Sequence, residues 1–170
     1  MIPDPFLERG MKQDTLIVYY SRTGHTSAVA QEMANRMDAV VHRLSDAPDS
    51  GDILSRALDA LRGRAGGYAP LPCDVASFTR VVVASPVWFG HVPPAVAGFL
   101  RQEGGRAREL ALIVTRYLFG GRSACRAMER HAGRSAVAYG NISDREVKSG
   151  IYPEAVAVFI DALHHPDTED

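Results

Sequence analysis

The sequence predicts an α/β protein, a three-layer α/β/α sandwich on one five-stranded parallel sheet. Three observations point there. Five short apolar runs, mostly β-branched, have the composition of strands buried on both faces. Segments with apolar residues three or four apart separate them, so strand and helix alternate along the chain. The length of 170 residues suits one core that hides roughly two thirds of the unfolded surface. The expected organisation is a loose N-terminal extension over 1–12 and a single domain over 13–170.

The first run, "TLIVYY", covers Thr15 to Tyr20, and Val29, Met33 and Met37 mark one face of the helix after it. "AVVHR", Ala39 to Arg43, is the second strand; Leu54, Leu58 and Leu61 give the next helical stripe. "RGRAGGYAPLPCD", Arg62 to Asp74, reads as a long surface loop. "RVVVAS", Arg80 to Ser85, is the third strand, followed by a loop and a helix carrying Val96, Phe99 and Leu100. "ELALIVT", Glu109 to Thr115, is the fourth strand, and "SACRAMERHAG" is a helix stopping on Gly133. "SAVAYG", Ser135 to Gly140, is the fifth, and Pro153 opens "PEAVAVFIDALHH" at a favoured first helical position. Asn141 to Tyr152 reads as a short connection.

Charge and cysteine usage exclude several classes. Nineteen Lys plus Arg against 20 Asp plus Glu leave no basic footprint for nucleic acid or an anionic membrane. Cys73 and Cys125 form neither a CxxC nor a zinc pattern, which fits a reducing compartment. "MIPDPFLERG" is broken by prolines and carries acids where a signal peptide needs a basic start, so the expected location is cytoplasmic. Val81 to Leu100 lacks Asp, Glu, Lys and Arg, but Pro86, Pro93 and Pro94 rule out a continuous spanning helix.

In parallel sheets ligands gather beyond the C-terminal ends of the strands. The loop after the first strand, "SRTGHT", places a glycine among hydroxyl residues where a strand turns into a helix, a geometry in which backbone N–H groups and the helix dipole converge on an anion. There is no GxxxxGK[ST] and no GxGxxG after the strand. Thr79 and His131 stand where a Cys-x5-Arg phosphatase loop would need arginine. Ordinary N-capping by Ser or Thr is the plain alternative. After the third strand, "SPVWFGHVPPAVAGFL" joins aromatic Trp88 and Phe89 to a turn restrained by Pro86 and Pro93 and made possible by Gly90. A flat heteroaromatic ring needs such a face; a buried core Trp on a tight turn is the competing explanation.

Together these loops resemble the flavodoxin family. Ser21, Thr23, Gly24 and Thr26 match its (S/T)-x-T-G-x-T phosphate loop in order, and Pro86-Val87-Trp88-Phe89-Gly90 resembles its segment after the third strand. The resemblance runs from about Thr15 to Leu163. It implies a flavodoxin-like sheet of order 2-1-3-4-5 and a bound FMN, since one phosphate loop suits FMN better than FAD. Ser21, Thr23, Gly24, His25 and Thr26 would then hold the phosphate, with Arg22 adding charge, while Pro86, Val87, Trp88, Phe89 and Gly90 frame the isoalloxazine. The third loop, "TRYLFGGRS", matches a family Thr followed by a Gly-rich turn through Thr115, Gly120 and Gly121. Arg116, Tyr117, Leu118 and Phe119 make it longer than usual. Tyr117 is either a second ring on the flavin or a surface aromatic; Arg116 is a stabiliser of reduced flavin, a substrate clamp or a solvated arginine.

The cofactor leaves the partner open. The resemblance implies an electron carrier with a redox partner protein, yet carriers of this kind are strongly acidic and this chain is nearly neutral. An FMN-dependent reductase passing electrons from NAD(P)H to a small acceptor such as a quinone is the second expectation, and a flavin-free interaction module the third. Both monomer and homodimer are compatible with the sequence, and no catalytic side chain or metal is expected.

Overall fold

The computed structural model describes residues 14–46 and 67–165. Five strands, β1 (Thr15–Tyr19), β2 (Val40–Arg43), β3 (Arg80–Val87), β4 (Glu109–Arg116) and β5 (Ala138–Ser143), form one parallel sheet in the order β2-β1-β3-β4-β5. The predicted order 2-1-3-4-5 is therefore observed. The stripe at Leu54, Leu58 and Leu61, the extension over 1–12 and the start of the Arg62 to Asp74 loop lie outside the described residues.

Period-two alternation assigns each strand residue to a layer. Leu16, Val18, Val81, Val83, Leu110, Leu112 and Val114 face the core under α2 (Pro94–Glu103) and α3 (Gly121–Ala132), where Phe99, Leu100 and Met128 are buried. Ile17, Val82, Ala84, Ala111 and Ile113 face the opposite core with Met33 of α1 (His25–Met37) and Phe159 of α5 (Tyr152–His164). The three layers follow from that alternation. Among the described residues no helix is long and apolar enough to cross a membrane.

Three segments differ from the sequence reading, each for a local reason. Pro86 and Val87 belong to β3, paired with Thr115 and Arg116 of β4. The β1-facing edge of β3 tolerates proline here because β1 has ended: Ala84 still accepts from Tyr20 N–H at 3.1 Å, and Pro86, two residues on, faces the same side beyond it. β5 lies three residues later than Ser135 to Gly140. Gly140 sits inside it rather than ending it, since a Cβ there would meet the Ile113 side chain at 2.5 Å and the Phe159 ring at 3.0 Å. The connection after β5 contains a helix, α4 (Asp144–Ser149). A capping box starts it, with Ser143 Oγ accepting from Glu146 N–H and the Glu146 carboxylate accepting from Ser143 N–H at 2.7 Å.

Candidate functional site

The site is assembled where β1, β3 and β4 end. Gly24 is the N-cap of α1, with φ of 92° and no side chain to cap with, and no acid occupies the first turn. The first N–H groups of α1 are thus left to whatever lies in front of the helix. The loop is held from within: Gly24 N–H donates to Ser21 Oγ at 3.1 Å, and Arg43 Nη2, at the end of β2, donates to the Ser21 carbonyl at 2.7 Å. Arg22, Thr23 and Gly24 are exposed, and the space where a Gly24 Cβ would stand has nothing within 4 Å. His25 Nδ1 pairs with Asp144 Oδ1 of α4.

Beyond β3 the chain reverses in a two-residue turn. Trp88 N–H donates to the His91 carbonyl at 2.8 Å and His91 N–H to the Trp88 carbonyl at 2.9 Å. Phe89 and Gly90 between them have φ of 49° and 83°. Positive φ at both central residues is the hairpin turn that usually takes Asn-Gly. Here an aromatic residue sits in the left-handed region with its ring fully exposed. The turn's own hydrogen bonds use the Trp88 and His91 peptide groups. Trp88 is half-buried, edge-on to Tyr20 at 5.7 Å, and the Arg22 guanidinium stands 5.5 Å from its ring centroid. Burial, and next the hydrogen bond from its OH to Asp46 at 2.8 Å, push the Tyr20 phenol up from its ordinary value.

After β4, Tyr117, Leu118 and Phe119 are exposed at 72%, 65% and 79% of their surface. Such consecutive apolar exposure is uncommon outside binding surfaces. Arg116 fixes their backbone, donating through Nε to Asn141 Oδ1 at 2.7 Å and through Nη1 to the Leu118 carbonyl. Gly120, φ 95°, is the N-cap of α3, and a Cβ there would lie 3.2 Å from the Cα of Gly90. A Cβ at Gly121 would strike the Asn141 amide at 2.7 Å.

Three contacts therefore bring the three loops into one crevice: Thr26 Oγ1 to Thr115 Oγ1 at 2.7 Å, Arg22 over Trp88, and Gly120 against Gly90. β1 and β3 flank it, at the point where the connections leave the sheet in opposite directions, and ligands of such sheets bind there.

No family model matches the chain. A curated NAD(P)H dehydrogenase (quinone) of Cupriavidus metallidurans is 29% identical over 94 residues, 53% of this chain and 46% of that protein. The match spans about half the length of the curated relatives. Among solved structures, a flavoprotein in complex with FMN from Lactobacillus acidophilus superposes with a TM-score of 0.59 at 20% identity, covering 81% of this chain and 97% of that one. A Fusobacterium nucleatum flavodoxin bound to flavin mononucleotide gives 0.57 at 9% identity, covering 89% and 96%.

The fold is that of the flavodoxins.

Within this flavodoxin-like frame, the structure gathers the expected residues but gives some of them other work. Thr26 and Thr115, 2% and 4% exposed, bond each other through their hydroxyls, so the Thr26 side chain is engaged within the protein. Arg116 is a brace on its own loop, not an outward cation. Trp88 packs into the core edge while Phe89 presents the open ring. Pro86 and Val87 are strand residues that aim the turn. Sequence reasoning passed over Arg43, Asp46, Asn141, Asp144 and Lys148, because it searched the loops after β1, β3 and β4 only. Two signals stood in the sequence: the end of "AVVHR" supplies Arg43, and "SDRE" is an S-x-x-E capping box that announces the helix carrying Asp144 and Lys148.

Proposed function

We propose that the chain binds FMN in this crevice and serves in electron transfer. The donor set suits a phosphomonoester: an uncapped helix start, an exposed Thr23 hydroxyl, the Arg22 cation, no acid in the first turn and open space over Gly24. The acids near the loop are engaged: Asp46 accepts from the Tyr20 hydroxyl, and Asp144 pairs with His25. The single observation that carries the reading is the convergence of the three loops, tied through Thr26 to Thr115, Arg22 to Trp88 and Gly120 to Gly90 beyond the ends of β1, β3 and β4.

In this reading the α1 N–H groups and Thr23 bind the phosphate, and Arg22 leaves Trp88 to add charge. Phe89 covers the ring, and the Phe89–Gly90 turn offers a carbonyl and an N–H to its polar edge. When bound, FMN supplies the electron-accepting and electron-donating chemistry, while the protein sets orientation and potential. No acid, base or nucleophile of the chain is required.

A purified protein that is yellow and releases FMN on heating is the expected result; a colourless protein that takes up no FMN on titration overturns the reading. A second reading, reduction of a quinone-type acceptor by NAD(P)H, is favoured by the names of the curated relatives and by the apolar loop over Tyr117–Phe119. Anaerobic bleaching of the holoprotein by NADPH or NADH supports that reductase, and absence of bleaching supports a carrier reduced by a partner protein.

A further inference from the structure

A cleft of about 520 Å³ lies between the loop after β4 and the helix α4, lined by Tyr117, Leu118, Asp144, Arg145, Lys148 and Ser149. That volume falls within the range of small-molecule sites. One wall is apolar: Tyr117 and Leu118 stand largely exposed beside each other. The other is cationic. Lys148 Nζ reaches across to lie over the Tyr117 ring, 5.7 Å from its centroid, and Arg145 is exposed on the same short helix.

The walls are held in place independently of any ligand. Arg116 binds the Leu118 carbonyl and Asn141, so the shelf is tied to β5. The capping box sets the start of α4, and Asp144 joins His25 of α1 through one oxygen and Lys148 through the other at 3.3 Å. An ammonium has three donors, and Lys148, 60% exposed and held by Asp144 at 3.3 Å and by the Tyr117 face, would swing off the ring to meet an anion and free that face for stacking. The acids nearby are already engaged: Asp144 on His25 and Lys148, and Glu146 on Ser143. The loop wall, Tyr117 and Leu118, contributes no acid. An aromatic shelf with a cationic rim matches a flat ring bearing a negative group, since stacking on Tyr117 and contact with Lys148 and Arg145 are then satisfied by one molecule.

We propose that this cleft binds a planar aromatic molecule carrying an acid group, such as a sulfonated or carboxylated quinone. The binding claim stands on the cleft itself; that the ligand exchanges electrons with a flavin rests on the reading above. Asp144 links the cleft to His25 at the start of α1, which places the ligand beside the crevice.

Anthraquinone-2-sulfonate titrated into the purified full chain, followed by amide NMR shifts, is the test, with 2-methyl-1,4-naphthoquinone as neutral probe. The expected result is shifts at Tyr117, Leu118 and Lys148, with the sulfonate bound more tightly than the neutral quinone. Lys148→Gln combined with Arg145→Gln should lower sulfonate affinity roughly tenfold, the loss of two exposed charge contacts, and leave the neutral quinone unchanged. Tyr117→Ala should weaken both. Sulfonate shifts centred elsewhere, or equal sulfonate affinity in the double variant, overturn the proposal. Flavin content, read from absorbance in the same samples, separates the two claims. A protein that takes up no FMN on titration yet binds sulfonate at this cleft refutes the flavin reading alone, and an FMN-loaded one with no sulfonate preference refutes the cleft alone.

Discussion

The starts of α1 and α3 share one backbone device and present opposite surfaces. Each helix follows a parallel strand and is N-capped by a left-handed glycine, Gly24 at φ 92° and Gly120 at φ 95°, with no side-chain cap and no acid in its first turn. Before α1 the exposed residues are Arg22 and Thr23; before α3 they are Tyr117, Leu118 and Phe119. Their surroundings differ as well, since a Cβ at Gly24 meets nothing within 4 Å and one at Gly120 lies 3.2 Å from the Gly90 backbone. The glycine conformation sets where a helix begins, and the neighbouring side chains decide whether that place suits a phosphate or a ring.

Substituting both glycines breaks the comparison most sharply. Gly24→Val and Gly120→Val each force a β-branched residue to positive φ, at about 1–2 kcal/mol. Gly120→Val adds overlap with backbone that cannot swing aside, typically about 1–3 kcal/mol. Chemical denaturation should therefore show the larger loss at Gly120. Gly24→Val should keep the fold and lose FMN retention, because the altered turn moves the α1 N–H groups. Equal stability losses would contradict the packing difference, and unchanged flavin content in Gly24→Val would remove this loop from the phosphate site.

The bond between the two regions, Thr26 to Thr115 at 2.7 Å, gives the next largest effect. Thr26→Val or Thr115→Val alone leaves a buried hydroxyl without its partner, at about 1–3 kcal/mol. The double variant removes both polar groups and should cost less than the sum. A double-mutant cycle by thermal or urea unfolding measures this, and strict additivity would show that the pair does not couple the loops.

How much of this was legible beforehand divides along the same line. Strands, layers and the three loops could be read because β-branched runs and glycine positions are local properties of the sequence, whereas the sheet order followed only from the flavodoxin resemblance. The partnering of Thr26 with Thr115, residues 89 apart, was not, because the motif gives residue types without saying where hydroxyls point. The shifted β5 is a similar case: Gly140 reads locally as a strand end, and only Ile113 and Phe159 packed against it explain a glycine in mid-strand. Helix α4 differs in kind, since its Ser143-Glu146 signature was visible and simply short.

The turn after β3 sharpens the distinction between packing and presentation. Phe89 is fully exposed and Trp88 half-buried against Tyr20. Phe89→Ala should leave the melting temperature nearly unchanged while weakening FMN by about 0.5–1.5 kcal/mol, one aromatic contact. Trp88→Ala should lower both stability and FMN affinity, because its ring belongs to the core edge as well as to the crevice wall. Fluorescence titration with FMN, set beside thermal melts, separates the two. If Phe89→Ala leaves the affinity intact, the exposed ring does not cover the flavin.

The smallest effect concerns α4, which carries Asp144 toward His25 at the start of α1 and Lys148 toward Tyr117. Ser143→Ala removes the cap that accepts from Glu146 N–H and should cost about 1 kcal/mol at neutral pH. The Ser143 hydroxyl, then its backbone N–H, hold the Glu146 carboxyl below its ordinary range, and Arg116 adds a smaller push the same way. A carboxyl whose folded pKa is depressed stabilises fully above its unfolded value and loses that contribution as pH falls through the folded one. The stability gap between wild type and Ser143→Ala should accordingly be widest at neutral pH and narrow through the acid range below the usual glutamate pKa. Urea unfolding at a series of pH values reads this directly. A gap that stays constant down to full protonation would mean that the Glu146 carboxylate adds nothing to the cap, leaving the Ser143 hydroxyl to hold the start of α4 by accepting from Glu146 N–H.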